Sequence, residues 1–200
     1  MAINLSAKNE LQWIKEGRVF AAQAGLLTTP ATFTATDIVW QTPDLQVRAP
    51  AGIVIVPLRV QVAFEATGGA AEDIVVAQCN NNIGVTNMTA NIPYNCNSRY
   101  ADKGSSCTAY ISATDVTGTA PTGIVVLKRA YIQPDIDAIT GTAHFQQFVF
   151  SPLHGKGTPG IVGDDSKLQT FLVYVANATS STGYVMAQWA EFTYTEFYAA

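Results

Sequence analysis

The stretch GIVIVPLRVQVAFEATGG, residues 52–69, places Val54, Val56, Leu58, Val60, Val62 and Phe64 at every second position. Ile53, Ile55, Pro57, Arg59, Gln61, Ala63 and Glu65 fall between them. A period of two is that of a β-strand, whose side chains alternate between faces. The thirteen residues from Ile53 to Glu65 are more than twice the usual strand of about five or six. Pro57 has no N–H to give to a ladder, so the strand is expected to bend there and pass between sheets, or to run along an edge. The second face also changes at that point, from Ile53 and Ile55 to Arg59, Gln61 and Glu65. Residues 53–56 are therefore expected to be covered on both faces and 59–65 on one. A second subunit or a loop of the same chain would supply the extra cover.

The rest of the chain carries the same signature. RVFAAQAGLL, TDIVWQT, LQVRA, EDIVVAQC, CTAYISA, GIVVLKRAYI, AHFQQFVFSP, LQTFLVYVAN and GYVMAQWAEFTYTEF read as further strands, separated by segments rich in Gly, Pro, Asn, Asp, Ser and Thr. Residues 80–106 read as one long polar loop. Thr and Val far outnumber Leu, the balance of pleated strands rather than helices. Only residues 1–17 suggest a helix, with Ser6 as its N-cap and Gly17 as its stop. Eight to ten strands joined by connections of uneven length predict an all-β fold. The expected architecture is an antiparallel β-sandwich, a jelly roll over residues 18–200, with a short N-terminal helix or arm over residues 1–17.

Composition narrows the function. Hydrophobic residues make up 48% of the 200 residues, but charged residues only 13%, against roughly 25% in an ordinary soluble domain. Such a chain covers its outside with uncharged polar residues, or hides part of it against a partner, since charge is depleted at the centres of subunit contacts. A net charge of −4 and the lack of a Lys/Arg cluster argue against nucleic-acid contact. No apolar run is long enough to span a membrane as a helix. The charged N-terminus, with Lys8, Glu10, Lys15 and Glu16, lacks the apolar core of a signal peptide, so the chain is expected to be made and at first kept inside a cell.

Catalytic and metal motifs are weak. His144 and His154 have no Gly-x-Ser-x-Gly elbow to serve, and nothing local pairs Cys107 with either. Asp135/Asp137 and Asp164/Asp165 match no complete calcium loop and suit turns. HGKGTPG lacks the spacing of a phosphate loop. Cys79, Cys96 and Cys107 are too dispersed for zinc. They read as buried thiols, with a Cys96–Cys107 disulfide open in an oxidising setting. Asn87-Met88-Thr89 and Asn177-Ala178-Thr179 fit the glycosylation pattern but lack a secretory signal. No catalytic residue, cofactor or metal is expected. The aromatics of the last strand, Tyr184, Phe192 and Tyr194 on one side with Trp189 and Phe197 on the other, read as core or as a contact face.

Three segments together carry a resemblance: KEGRVFAAQAGLLTTPATFTA (15–35), APAGIVIVPLRVQVAFE (49–65) and MAQWAEFTY (186–194). They resemble a family of small virion structural proteins of tailed bacteriophages. The resemblance implies a β-sandwich assembled in symmetric copies, as a capsid or capsid-decoration subunit or a tail component. Its partners would be copies of itself and other virion proteins, and its location the particle, assembled in the host cytoplasm. The residues expected at such contacts are Leu11, Trp13 and Ile14 in the arm, Ile53 and Ile55 in the long strand, and Phe197 and Tyr198 near the end. The alternative is a glycan- or receptor-binding sandwich whose Trp and Tyr side chains and Asn80–Asn82 loop would hold a sugar.

Overall fold

A computed structural model describes residues 7–26, 28–33, 35–66, 70–84, 88–111, 119–132, 147–177 and 180–198. Helix α1 (Ala7–Lys15) comes first. The strands are β1 (Val19–Ala24), β2 (Ala31–Phe33), β3 (Leu45–Ala49), β4 (Ile53–Ala66), β5 (Glu72–Cys79), β6 (Thr89–Asn91) and β7 (Tyr94–Asn95). They continue with β8 (Thr108–Ile111), β9 (Val125–Ile132), β10 (Gln147–Phe150), β11 (Val162–Gly163), β12 (Gln169–Asn177) and β13 (Ser181–Thr193). A short helix, α2 (Tyr194–Tyr198), ends the described chain.

The strands form two antiparallel sheets packed as a sandwich. One runs β10–β4–β13–β1–β7, with β11 also on β4 and β2 also on β13; the other runs β6–β8–β3–β12–β5–β9. The pairing of the longer strands is nested along the chain. β1 pairs β13, β3 pairs β12, β4 pairs β10 and β5 pairs β9. First joins last, second joins second-to-last, and so inward. The Phe20, Val47, Val62, Ile74, Phe150, Phe171, Val185 and Trp189 side chains fill the space between the sheets.

The long strand departs from its expected course. β4 is an inner strand, with β13 on one side and β10 and β11 on the other. Gln188 pairs Arg59 while Trp189 pairs Pro57, so Leu58 is an extra residue and the ladder is bulged. A bulge inserts one residue and reverses which alternate positions face inward. Ile53 and Ile55 before it, and Val60, Val62 and Phe64 after it, serve the inter-sheet core. Val56 and Leu58 instead join a separate outer cluster with Trp13, Val19, Ala190 and Phe192. The even-numbered row is thus divided between two cores. Pro57 also falls in the gap between the residues paired with β11 (Val54, Ile55) and those paired with β10 (Val60–Ala63). An inner strand tolerates this proline because the bulge and the gap interrupt the ladder around it.

The contrast expected between residues 53–56 and 59–65 is observed with shifted bounds: residues 54–58 are buried and Ile53 half-buried, while 59, 61, 63 and 65 are partly or fully exposed. The cover over the first half comes from the same chain. Trp13 of α1 is 6% exposed and meets Phe192 edge to face at 5.3 Å. Ile14, Leu153 and Phe197 pack beside them. α1 ends where the sequence predicts, in a Schellman motif: Gly17 N–H donates to Ile14 O at 3.0 Å and Arg18 N–H to Trp13 O at 2.9 Å. Gly17 supplies the left-handed φ of 66°, and a Cβ there would collide with the Tyr100 ring. Ser6 lies outside the described residues.

Other expectations are corrected. TDIVWQT (36–42) is not a strand; Ile38 and Trp40 lie over Val75, Leu172 and Tyr174 on the outer face of the second sheet. Tyr174 Oη donates to Trp40 O at 2.8 Å. The polar segment 80–106 holds β6 and β7, and the turn-like segments hold β2 and β11. Thirteen strands are present among the described residues, because several are only two or three residues long. The last strand stops at Thr193, whose Oγ1 accepts from Glu196 N–H and caps α2.

Trp13 therefore belongs to the fold of its own chain. Trp13→Ala should cost about 3–5 kcal/mol in urea unfolding, whereas Leu11→Ala, at a position 57% exposed, should change stability by less than about 0.5 kcal/mol.

Candidate functional site

The outer face of the first sheet is only partly covered. α1 and its cluster close one end; at the other end, among the described residues, Tyr94 and Gln147 are exposed, Ala21 is buried and the remaining outward side chains are half-buried. Registers align its outward residues in rows. Tyr94, Ala21, Gln188 and Arg59 form one row across β7, β1, β13 and β4. Gln23, Met186, Gln61 and Val149 form the next, across β1, β13, β4 and β10. Tyr184, Ala63 and Gln147 form a third. Of these eleven side chains only Arg59 is charged. Arg59 Nη2 donates to Gln61 Oε1 at 2.9 Å and Gln23 Nε2 to Gly25 O at 2.8 Å. The other ends of those two amides have no partner among the described residues. Tyr94 Oη donates to Met186 Sδ at 3.9 Å. Ile92 stands at the rim, 90% exposed.

This face offers amide donors and acceptors, two tyrosines, a methionine and small aliphatic groups, and no nucleophile–base pair. Tyr, Met and Arg are enriched at protein contacts and Lys, Glu and Asp depleted.

The residues expected at contacts are dispersed. Ile55 is fully buried between the sheets and Trp13 is buried under α1, so both make their contacts within the chain. Ile14, Ile53 and Phe197 are half-buried against those two clusters. Leu11 and Tyr198 are exposed, Tyr198 at 52%. Phe197 shares a cluster with Phe192, at 5.6 Å between rings, because α2 folds back. The outer-face rows were missed; the signal for them was the run of Gln and Tyr between core positions of β1, β4 and β13.

The remaining candidates have structural duties. Asn81 Nδ2 donates to Ala120 O at 2.9 Å, and Thr122 N–H donates to Asn81 Oδ1 at 2.7 Å, so the Asn-rich loop is a clasp between segments. His154 pairs with Glu10 at 3.1 Å and ties α1 to the turn after β10. His144, Asn87, Asp135 and Asp137 lie outside the described residues. Asp164 Oδ1 accepts from Ser166 N, Ser166 Oγ and Lys167 N, as a turn requires. Among the described residues no group of three His, Cys, Asp or Glu side chains gathers to hold a metal. Asn177 is buried and donates to Glu72 Oε1.

Cys79, Cys96 and Cys107 are all free thiols. Cys96 belongs to the outer cluster and Cys107 to the inter-sheet core, so a sheet separates them. Burial pushes the Cys96 thiol up to about 11 and Cys107 well above its ordinary value, with the Glu191 carboxylate adding to the latter. Neither is a ready nucleophile.

Several acids are drawn inside. Glu191 accepts from Trp189 Nε1 at 2.8 Å, from Ser106 N–H at 2.9 Å and from Ser105 Oγ. Glu72 accepts from Asn177 and Ser181, and burial raises its carboxyl above the ordinary range. Asp44 Oδ2 accepts from Val175 N–H at 2.6 Å, and burial pushes its carboxyl up to about 7.

No protein-family model matches the chain, nor does any curated protein. Among the described residues no helix is long and apolar enough to cross a membrane.

The folded Asp44 carboxyl holds its proton more tightly than the ordinary value of 3.8. Its contribution to stability is therefore full at low pH and lost as pH rises from about 4 to about 7. Asp44→Asn should flatten that part of the stability–pH curve and melt about 2–4 °C above the parent at pH 8, read by circular dichroism.

Proposed function

We propose that this chain is a structural subunit of a virus particle, a capsid or capsid-decoration protein of a tailed bacteriophage. It works by binding copies of itself and neighbouring virion proteins, and its place is the virion, assembled in the host cytoplasm. The observation that carries the reading is the half-exposed, nearly uncharged end of the first sheet's outer face. The nested pairing of β1 with β13, β3 with β12, β4 with β10 and β5 with β9 is that of a long hairpin rolled into two sheets. It supports a jelly roll, a fold that viral capsids share with lectins and cupins. The resemblance of residues 15–35, 49–65 and 186–194 to phage virion proteins favours the capsid among these.

Size sets the kind of contact. Three rows about 6.8 Å apart across four strands about 4.8 Å apart span on the order of 300–400 Å². A stable pairwise interface buries roughly 800 Å² per partner. The face alone thus makes a weak contact, and Ile92, exposed two residues before Tyr94, extends it. Weak contacts repeated around symmetry axes suit a shell, in which each subunit meets several neighbours at once.

Size-exclusion chromatography with light scattering tests this reading. A concentration-dependent oligomer is expected. The pair Gln61→Glu and Met186→Glu should shift it to monomer, with an unchanged circular dichroism spectrum. A parent protein that stays monomeric at the highest soluble concentration overturns the proposal.

A further inference from the structure

On the opposite side of the sandwich, the outer face of the second sheet holds a cleft of about 240 Å³. Register places Ala176, Asp73 and Tyr131 side by side across β12, β5 and β9 at its base. Ala70 and Ala71 line it from the start of β5, and Thr36 and Asp37 from the segment that covers this sheet. The cleft has a floor of alanines, a Tyr131 ring that is 75% exposed, and a polar rim.

The charges are specific. Arg129 grips both oxygens of Asp73, with Nε to Oδ1 at 3.0 Å and Nη2 to Oδ2 at 2.6 Å, so that carboxylate is neutralised. The Asp37 carboxylate has no partner among the described residues and is exposed. Asn177, also in the lining, is buried and donates to Glu72, so the exposed groups are the Asp37 carboxylate, the Thr36 hydroxyl and the Tyr131 ring. A hard cation needs six or more oxygens and finds too few. An alkylammonium group is held by a cage of several rings, and one tyrosine does not make a cage. An anion meets the Asp37 charge.

We propose that this cleft binds a single neutral pyranose unit, such as the end residue of a surface polysaccharide. The C–H face of the sugar lies on Tyr131 and the alanine floor, since a tyrosine offers apolar area with a polar tip. Two adjacent hydroxyls donate to the two oxygens of Asp37. A cleft of about 240 Å³ has room for one sugar ring. A ligand of that size binds at roughly millimolar strength. The inference is independent of the particle reading, because the cleft lies on the other sheet and needs no second subunit.

Saturation-transfer and amide-shift NMR on the full chain, with D-glucose, D-galactose, D-mannose and N-acetyl-D-glucosamine as probes, tests it. At least one sugar should shift the amide signals around Tyr131 and Asp37 at on the order of ten millimolar. Tyr131→Ala and Asp37→Asn should each weaken binding about tenfold or more, and Tyr131→Phe should retain it. Both positions are on the surface, so the fold is expected to survive the changes. The inference is overturned if no sugar shifts these signals, if binding survives both substitutions, or if methylammonium or sialic acid binds there in place of the neutral sugars.

Discussion

The extra residue at Leu58 is the constraint on which the arrangement depends. β13 keeps one parity from Val185 to Glu191, with odd positions inward, whereas β4 changes parity beside it at the Gln188–Trp189 step. Without that change, Val60, Val62 and Phe64 would turn outward together, since a one-residue slip moves every later side chain to the other face. With it, a single strand supplies apolar surface to two clusters. The inner cluster joins the sheets, and the outer one gives α1 its seat. Trp189, opposite Pro57, is fully buried at the switch.

From that seat follows the division of the first sheet's outer face. α1 is held by Trp13 on Phe192, by Asn97 Nδ2 donating to Ile14 O at 2.9 Å, and by the bidentate pair of Arg18 with Glu196 of α2. These contacts bring both ends of the described chain together over Val56 and Leu58. The other end of the face, past the bulge, has no such helix over it among the described residues, and its Arg59, Gln61 and Ala63 side chains are half-buried. A long strand with one covered and one half-exposed half thereby fixes the helix position.

The small number of charges has a second consequence inside the protein. Glu191, Glu72 and Asp44 serve as acceptors for buried N–H and O–H groups at strand ends, and Arg48 lies over the Tyr110 ring at 4.9 Å and donates to Ile83 O. Burying ionisable groups carries a desolvation cost, offset here by the hydrogen bonds they receive or give.

The sequence by itself determined the β class, the helix stop at Gly17, most of the long strands and the different burial of residues 53–56 and 59–65. Each is a local property: a period of two, a left-handed glycine, or a change in side-chain type along a few residues. Only the tertiary structure decided what covers what. Whether Ile55 faces a partner or the inter-sheet core depends on a bulge opposite β13, more than 120 residues away in the chain. Whether 36–42 is a strand or a cover depends on an edge for it to pair with, and Ile38 and Trp40 found the Tyr174 face instead. The half-exposed glutamine rows and the Tyr131 cleft were hidden for the same reason. Alternation reports that a position faces outward, but the neighbours across the ladder are set by long-range pairing that no local pattern encodes.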